Sequence, residues 1–348
     1  MKISPSYQLK SHNTFGIACQ TSYYMEIESK EDAMILHQDE YFRSLPFLIL
    51  GGGSNMLFIG DFKGAVLHYS GKNIDLLRDT PDQQVWRVEA GTNWHDLVMD
   101  TAQKGLWGIE NLALIPGDVG AAAVQNIGAY GAEISQVIES VHTINLVTGE
   151  EQVWSPNEIS YAYRYSIFKE KTMRHFMVYA VDLRLSKEPH PILNYSGLHT
   201  LHDDPALTSL RVAEEVIRIR QEKLPNPDEL PNAGSFFMNP IVDGHTFLTM
   251  LDQYPDLPHY VISEQEFKIP AAWLIEQVGM KGVKDGEVGT YPKQPLVIVN
   301  YGTTIGRDIV NFSEKIQHAV YQKFGIQLHP EVRFIYSAEQ YNINQLEN

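Results

Sequence analysis

The first clear element in the hydrophobic pattern is a short, continuous apolar run, Pro46-Phe47-Leu48-Ile49-Leu50, which reads as a buried strand. It runs directly into Gly51-Gly52-Gly53-Ser54-Asn55 and then into apolar Met56-Leu57-Phe58-Ile59. Further short strands are expected around 65–69 and 85–90, and a helix over 94–104 stopped by Gly105. Residues 138–146 and 151–154 read as a hairpin around Thr148-Gly149. Ser155-Pro156-Asn157-Glu158 has the form of a capping box, so a short helix should follow it. Residues 177–185 alternate as a strand. Over 208–224, Val212, Val216 and Ile219 share one helical face, and Pro225 and Pro227 end the helix. The proline spacing over 224–231 suggests a domain boundary. Beyond it, helices are expected near 245–253 and 270–278, a buried strand over 296–300, a long amphipathic helix over 308–324 and a final strand at 332–335. Strands and helices mix without regular alternation, which favours an α+β fold.

Length and composition narrow this further. The 348 residues suit two or three domains, and 43% hydrophobic residues suffice for a real core. The 27 basic against 43 acidic side chains give a formal net charge of -16, which argues against nucleic acid or an anionic membrane surface as partner. A single cysteine, Cys19, excludes an internal disulfide and any multi-cysteine metal site. The 13 histidines show no metal-ligand spacing, so no metal is expected. No apolar run follows Lys2 as in a signal peptide, and none approaches membrane-spanning length, so a cytoplasmic protein is expected. Asn194-Tyr195-Ser196 and Asn311-Phe312-Ser313 fit the glycosylation pattern by chance.

Three local concentrations carry candidate chemistry. A Rossmann fingerprint needs glycine at its sixth position, but from Gly51 that position is Met56, and the continuation is strand. Consecutive glycines still present backbone N–H groups that can cradle a diphosphate, although a tight turn explains them equally well. The small-residue segment Ile115-Pro116-Gly117 through Gly120, Ala121, Gln125, Asn126 and Gly128 to Gly131 suits either a close-packed crossing or a flat ligand. Its Gln125-Asn126 pair is able to hydrogen-bond the edge of a heteroaromatic ring. Ser235, in Ala233-Gly234-Ser235-Phe236-Phe237, is a plain turn residue or a positioned hydroxyl, and no Gly-x-Ser-x-Gly elbow surrounds it. Glu331 follows Pro330, which would fix a positioned acid.

Taken in order, these segments resemble the UDP-N-acetylenolpyruvoylglucosamine reductase family, from Asn13-Thr14-Phe15-Gly16 to Glu331-Val332-Arg333-Phe334. Gly51, Gly52, Gly53, Ser54 and Asn55 look like its first flavin loop, and Ile115 to Gly131 like its second. Tyr163-Arg164, Gly234-Ser235-Phe236 and Pro330-Glu331-Val332 look like its catalytic blocks. Ala121-Ala122, Met238 and His329 depart from residues common in the family.

The resemblance implies an FAD-binding fold of the vanillyl-alcohol-oxidase (PCMH-type) group in two subdomains, 1–70 with 330–348 and 71–222. A separate α+β substrate domain, 223–329, would follow. It implies noncovalent FAD, since residues 50–58 hold no histidine or cysteine, and NADPH as hydride donor. The reaction implied is reduction of a UDP-sugar enolpyruvyl ether to UDP-N-acetylmuramate, with hydride passing from reduced flavin to the vinyl carbon. Arg164 would hold the substrate carboxylate (besides touching the cofactor), Glu331 would polarise it and Ser235 would protonate the carbanion. Tyr163, Tyr195, Lys223, Asn239 and Gln294 would line the substrate or nicotinamide side. The alternative is a flavin oxidase or dehydrogenase of this fold acting on another sugar or alcohol. A monomer is the working expectation. The anionic ligands would be met by cations local to the cleft, drawn from 161–187 and from Arg218, Arg220 and Lys223.

Overall fold

The computed structural model describes residues 1–195 and 197–341. Ser196, and the part of the 330–348 tail beyond Tyr341, lie outside the described residues. The first layer is a four-stranded sheet in the spatial order Lys2–Gln8, Gln20–Ile27, Phe62–Tyr69, Phe47–Ile49. Its outer pair is antiparallel and the other pairings are parallel. Parallel neighbours need a crossover, and the short helices Lys30–Ile35 and Glu40–Ser44 provide it, each started by a side-chain cap from Ser29 or Asp39. The chain leaves this sheet after Ile49. Its next strand, Met56–Phe58, pairs instead with Arg333–Ile335, in parallel, at the other end of the sequence.

The glycine loop is therefore a turn between two different pairings, packed too tightly for side chains. Gly53 has φ +64°, and a Cβ there would run into the carbonyl oxygen of His12.

The second layer is an antiparallel five-stranded sheet ordered Glu151–Trp154, Ile138–Asn145, Phe176–Ser186, Gln83–Glu89, Ile74–Asp79. The alternation read along 177–185 is muted, because this central strand is buried on both faces except at Arg184. Helices Trp94–Gln103, Val119–Gln125 and Ser209–Lys223 belong to this layer. The small-residue segment is thus a seven-residue helix, ended by Asn126 in the left-handed conformation. Met25, Phe47 and Leu67 of the first sheet share one core with Val88, Val181 and Leu183 of the second.

A third unit carries the sheet Asn232–Ser235, Gln294–Asn300, Val288–Tyr291, Lys284–Asp285, with helices Ala271–Gln277 and Gly306–Phe324 against it. A small three-stranded sheet, Ile241–Asp243, Glu266–Lys268, Tyr260–Val261, completes it. Phe236, Leu274, Ile298, Phe312 and Ile316 form its core, together with Phe15, Ile17 and Leu57 from the N-terminal part of the chain. Gly306 opens the long helix against the Phe58 carbonyl, where a Cβ would not fit.

Candidate functional site

Two cavities, of about 190 and 110 Å³, meet behind the glycine loop and share Gly51, Met56, Asp118, Ala121 and Gln125 as walls. The two small-residue segments close on each other here. A Cβ on Gly51 would lie 2.8 Å from that of Ala121, and one on Gly52 would lie 2.9 Å from Gly117 Cα. Ser54 Oγ donates to the Pro116 carbonyl at 3.1 Å. Asn55 Nδ2 donates to Gln125 Oε1 and to the Glu331 carbonyl, both at 3.2 Å. The larger cavity is lined by Gly51, Gly53, Ser54, Asn55, Ile115, Pro116, Ala121, Gln125 and Gly128, and also by Arg164, Ser235 and Glu331. Gly120 faces the smaller one.

Arg164 is held from four sides. Its φ of +54° is unusual for a side chain of this size and costs about 1 kcal/mol or more. Reciprocal backbone bonds between Ala162 and Tyr165, at 3.0 and 3.1 Å, fix that turn. Its Nη2 donates to the Gly128 carbonyl at 2.5 Å, and Nε lies 3.1 Å from Glu331 Oε1. The guanidinium sits 5.1 Å from the Tyr163 ring centroid, and Lys169 Nζ donates to the Arg164 carbonyl at 2.7 Å. Such a guanidinium is pre-oriented and gives up little freedom on meeting a carboxylate.

Glu331 arrives on the returning C-terminal segment. Its N–H donates to the Phe236 carbonyl at 2.8 Å, which sets it beside Ser235. Burial pushes its carboxyl above the ordinary range, against the opposing pull of Arg164 and Lys169. Ser235 ends its strand opposite Val297 with its side chain open to the cleft. The turn before it is set by Gly234, whose φ is +67° and whose N–H donates to Asn232 Oδ1 at 2.8 Å.

Other expected residues stand apart from the cavities. Asn126 is wholly buried and its side chain is committed. Nδ2 donates to Glu133 and to the Ala162 carbonyl, at 3.0 and 2.8 Å, and Oδ1 accepts from the Ser135 N–H at 3.3 Å. It holds the loop that carries Arg164 and leaves no amide group for a ring edge. Asn239 Oδ1 accepts the Ala271 N–H at 2.9 Å, and the side chain also bonds Tyr163. Tyr195 packs edge-on to Tyr130 at 5.3 Å and hydrogen-bonds Tyr260; burial, then Tyr260, raises its pKa. Gln294 begins its strand, bonded at 3.4 Å to the Leu296 N–H, and Lys223 is exposed at its helix end.

The cations expected in the cleft separate. Arg164 and Lys169 are at the site, and Arg174 lines the smaller cavity. Lys187 pairs with Asp79 on the surface, and Arg218 pairs with Glu215 and Glu222. Arg220, expected from its helix, is in place, and one cation that the sequence did not single out, Lys268, joins it. Arg220 lines the larger cavity, burial lowers its pKa, and its Nε has no hydrogen-bond partner among the described residues. Its signal was legible: it lies four residues after Val216, on the apolar face of the helix. Lys268 lies 4.6 Å over Tyr163 and 5.4 Å over Tyr260, and burial lowers its pKa, followed by repulsion from Arg164. It comes from a strand with no distinguishing local pattern.

Known proteins place this geometry. Residues 22–155 match the family model of an FAD binding domain, and residues 226–335 match that of the UDP-N-acetylenolpyruvoylglucosamine reductase C-terminal domain. A UDP-N-acetylenolpyruvoylglucosamine reductase of Porphyromonas gingivalis is 44% identical over 339 residues, spanning 96% of this chain and 100% of the relative. One of Bacteroides fragilis is 43% identical over 330 residues, spanning 94% and 99%. The chain belongs to the UDP-N-acetylenolpyruvoylglucosamine reductase family. The crystal structure of that reductase (MurB) from Thermus caldophilus shares the fold, with a TM-score of 0.67, 23% identity, and coverage of 96% of this chain and 99% of the other.

A member of this reductase family is an NADPH-dependent FAD flavoprotein of peptidoglycan precursor synthesis, built from a vanillyl-alcohol-oxidase-type FAD-binding fold and the family's C-terminal domain. The site fits FAD physically. The Gly51–Gly53 cradle would be filled by any Cβ, and buried guanidinium nitrogens of Arg220 and Arg333 lack partners among the described residues beside it. Among the described residues no helix is long and apolar enough to cross a membrane.

Proposed function

We propose that this chain reduces the enolpyruvyl ether of UDP-N-acetylglucosamine at the larger cavity, with Arg164, Glu331 and Ser235 in the acting roles. The observation that carries this is their convergence on the cavity that the glycine loop walls. FAD, once reduced by NADPH, supplies the hydride that enters at the vinyl carbon. Arg164 meets the substrate carboxylate, onto which negative charge spreads as the double bond is lost. Glu331, kept protonated more readily by burial, shares a proton with that carboxylate. Ser235 gives its hydroxyl proton to the basic carbon, so one hydride and one proton add across the bond. Gly51 to Asn55 with Ile115, Pro116, Gly117, Gly120, Ala121, Gln125 and Gly128 would hold the cofactor. Tyr163, Tyr195, Lys223, Asn239 and Gln294 would form the substrate side, joined by Arg220 and Lys268.

The same reading divides the chain into 1–70 with 330–348, 71–222 and 223–329. A monomer belongs to the same reading, and its nucleotide-linked substrate supports a cytoplasmic location.

A Ser235→Ala enzyme should consume NADPH normally with an artificial electron acceptor, since reducing the flavin does not need that proton. Its turnover of the enolpyruvyl sugar should fall by ~10²–10⁴-fold. Product formation at a near-normal rate would remove Ser235 from the mechanism.

A further inference from the structure

Of the five residues that wall both cavities, Asp118 alone is charged. Its Oδ2 lies 3.6 Å from where a Gly51 Cβ would stand, so the carboxylate borders the cradle assigned to the cofactor's diphosphate. A bare carboxylate there repels the ligand it faces. Asp118 occupies the N-cap position of helix Val119–Gln125 but makes no capping hydrogen bond. It turns instead to His68, with Nε2 3.4 Å from Oδ2.

His68 is the inner end of a chain of polar groups. Its Nδ1 is 2.9 Å from Tyr24 Oη, which is 3.4 Å from His12 Nδ1, and His12 Nε2 is 3.1 Å from Tyr7 Oη. Tyr7 and His12 are half-buried, so the chain runs from near the surface to the seam of the cavities. The groups facing His68 are Tyr24 and Glu26 on the adjacent strand, His12 and Asp118. Burial, then the neighbouring His68, lowers the pKa of His12, while Glu26 opposes both.

We propose that His68 and Asp118 form a proton-dependent counter-charge to the cofactor diphosphate. With His68 protonated the pair is net neutral and the groove accepts an anion; with His68 neutral, the Asp118 carboxylate opposes it. Histidine is the side chain whose charge changes between pH 5 and 8, so FAD affinity falls as pH rises through that interval. By linkage, FAD binding takes up a fraction of a proton. The inference rests on the assignment of the groove to FAD. His68 is here a positioning residue, acting through Asp118.

The test is titration of the full-length, deflavinated protein with FAD from pH 6 to 8.5, followed by flavin fluorescence. Neither the diphosphate nor the flavin ring changes charge appreciably in that window. The wild-type dissociation constant should rise several-fold, up to about tenfold for each unit by which binding raises the pKa of the pair. Asp118→Asn, which removes the opposing carboxylate, should bind FAD more tightly than wild type at pH 8.5. His68→Asn, which removes the titrating group, should be flat, and weak at both ends of the range, while His12→Asn should keep the wild-type slope. Thermal unfolding of each apo variant separates lost binding from lost folding. A wild-type slope retained in His68→Asn, or weaker binding by Asp118→Asn than by wild type at pH 8.5 with an intact fold, overturns the proposal. So does pH-independent binding by wild type, which leaves the flavin assignment standing. Absence of FAD binding at every pH would overturn that assignment and the proposal together.

Discussion

Asp182 shows how a cluster with catalytic-looking composition is structural in its geometry. It accepts from Arg87 Nε and Nη2 at 2.8 and 2.9 Å, from Ser140 Oγ at 2.8 Å, and faces His142 Nε2 at 2.9 Å. A nucleophilic triad needs the two imidazole nitrogens to serve different partners. Here the same Nε2 also faces Ser140, at 3.1 Å, and Nδ1 is buried without a hydrogen-bond partner among the described residues. Burial alone would raise the Asp182 pKa, but the bonds from Arg87, His142 and Ser140 outweigh it and hold the carboxylate well below its usual range. A depressed folded-state pKa gives stability that is present above the unfolded value, near ~4, and lost as pH falls toward the folded one. Asp182→Asn should therefore cost ~2–4 kcal/mol at pH 7, toward the lower end because Arg87 is 35% exposed, read by urea unfolding. The gap from wild type should narrow between pH 5 and 3, and specific turnover of the folded variant should be unchanged. A variant as stable as wild type at neutral pH would show the network to be idle.

Elements with local signals were legible in the sequence, and those whose identity depends on distant partners were not. Helices Ser209–Lys223 and Gly306–Phe324 and the Ser155–Glu158 capping box follow from spacing and caps alone. The strand–loop–strand around Gly51 follows from its apolar flanks. Lys2–Gln8 gave no signal because, as an edge strand, it buries little on either face, and Ile74–Asp79 is exposed along its whole length. Val119–Gln125 was hidden because glycine and alanine leave no periodic apolar stripe. At the site, the glycine loops and the Arg164, Ser235 and Glu331 blocks were readable through family resemblance. The neighbourhood of Lys268 was not, because it forms only when separate strands pack. Asn239 illustrates a residue with two jobs that sequence cannot separate. Pro270, at the N-cap of helix Ala271–Gln277, offers no capping side chain, and Asn239 Oδ1 serves instead. Asn239→Ala should lose ~1 kcal/mol of stability along with substrate affinity. Asn239→Asp keeps the cap oxygen, so it should keep the stability and lose only the affinity, seen as a raised KM at unchanged Tm. Equal destabilisation by both would assign the residue's stability role to something other than the cap.

Over the whole molecule, the net charge of -16 and the anionic substrate make opposite demands, and the fold reconciles them by position. Lys187, Arg218 and Lys315 are neutralised by surface carboxylates. Arg220 and Lys268 stand at the cleft with no carboxylate salt bridge among the described residues, and Arg164 is paired there with Glu331, whose pKa burial raises. Salt distinguishes the two influences by sign. If the total charge governed approach, screening would relieve repulsion, and KM for the UDP-sugar would fall as ionic strength rose. If the local cations govern it, screening weakens attraction and KM rises. At 0.15 M the screening length is ~8 Å, shorter than the span of a domain of this size, so distant surface carboxylates are already largely screened while the cleft cations are not. The expected outcome is a KM that increases several-fold between 0.05 and 0.5 M NaCl, with kcat changing far less. Lys268→Gln should flatten that dependence. Removing one of two exposed surface acids, by Glu214→Gln or Glu264→Gln, should leave it alone. A KM that decreases with salt would mean that the acidic exterior, and not the cleft, sets the field the substrate meets.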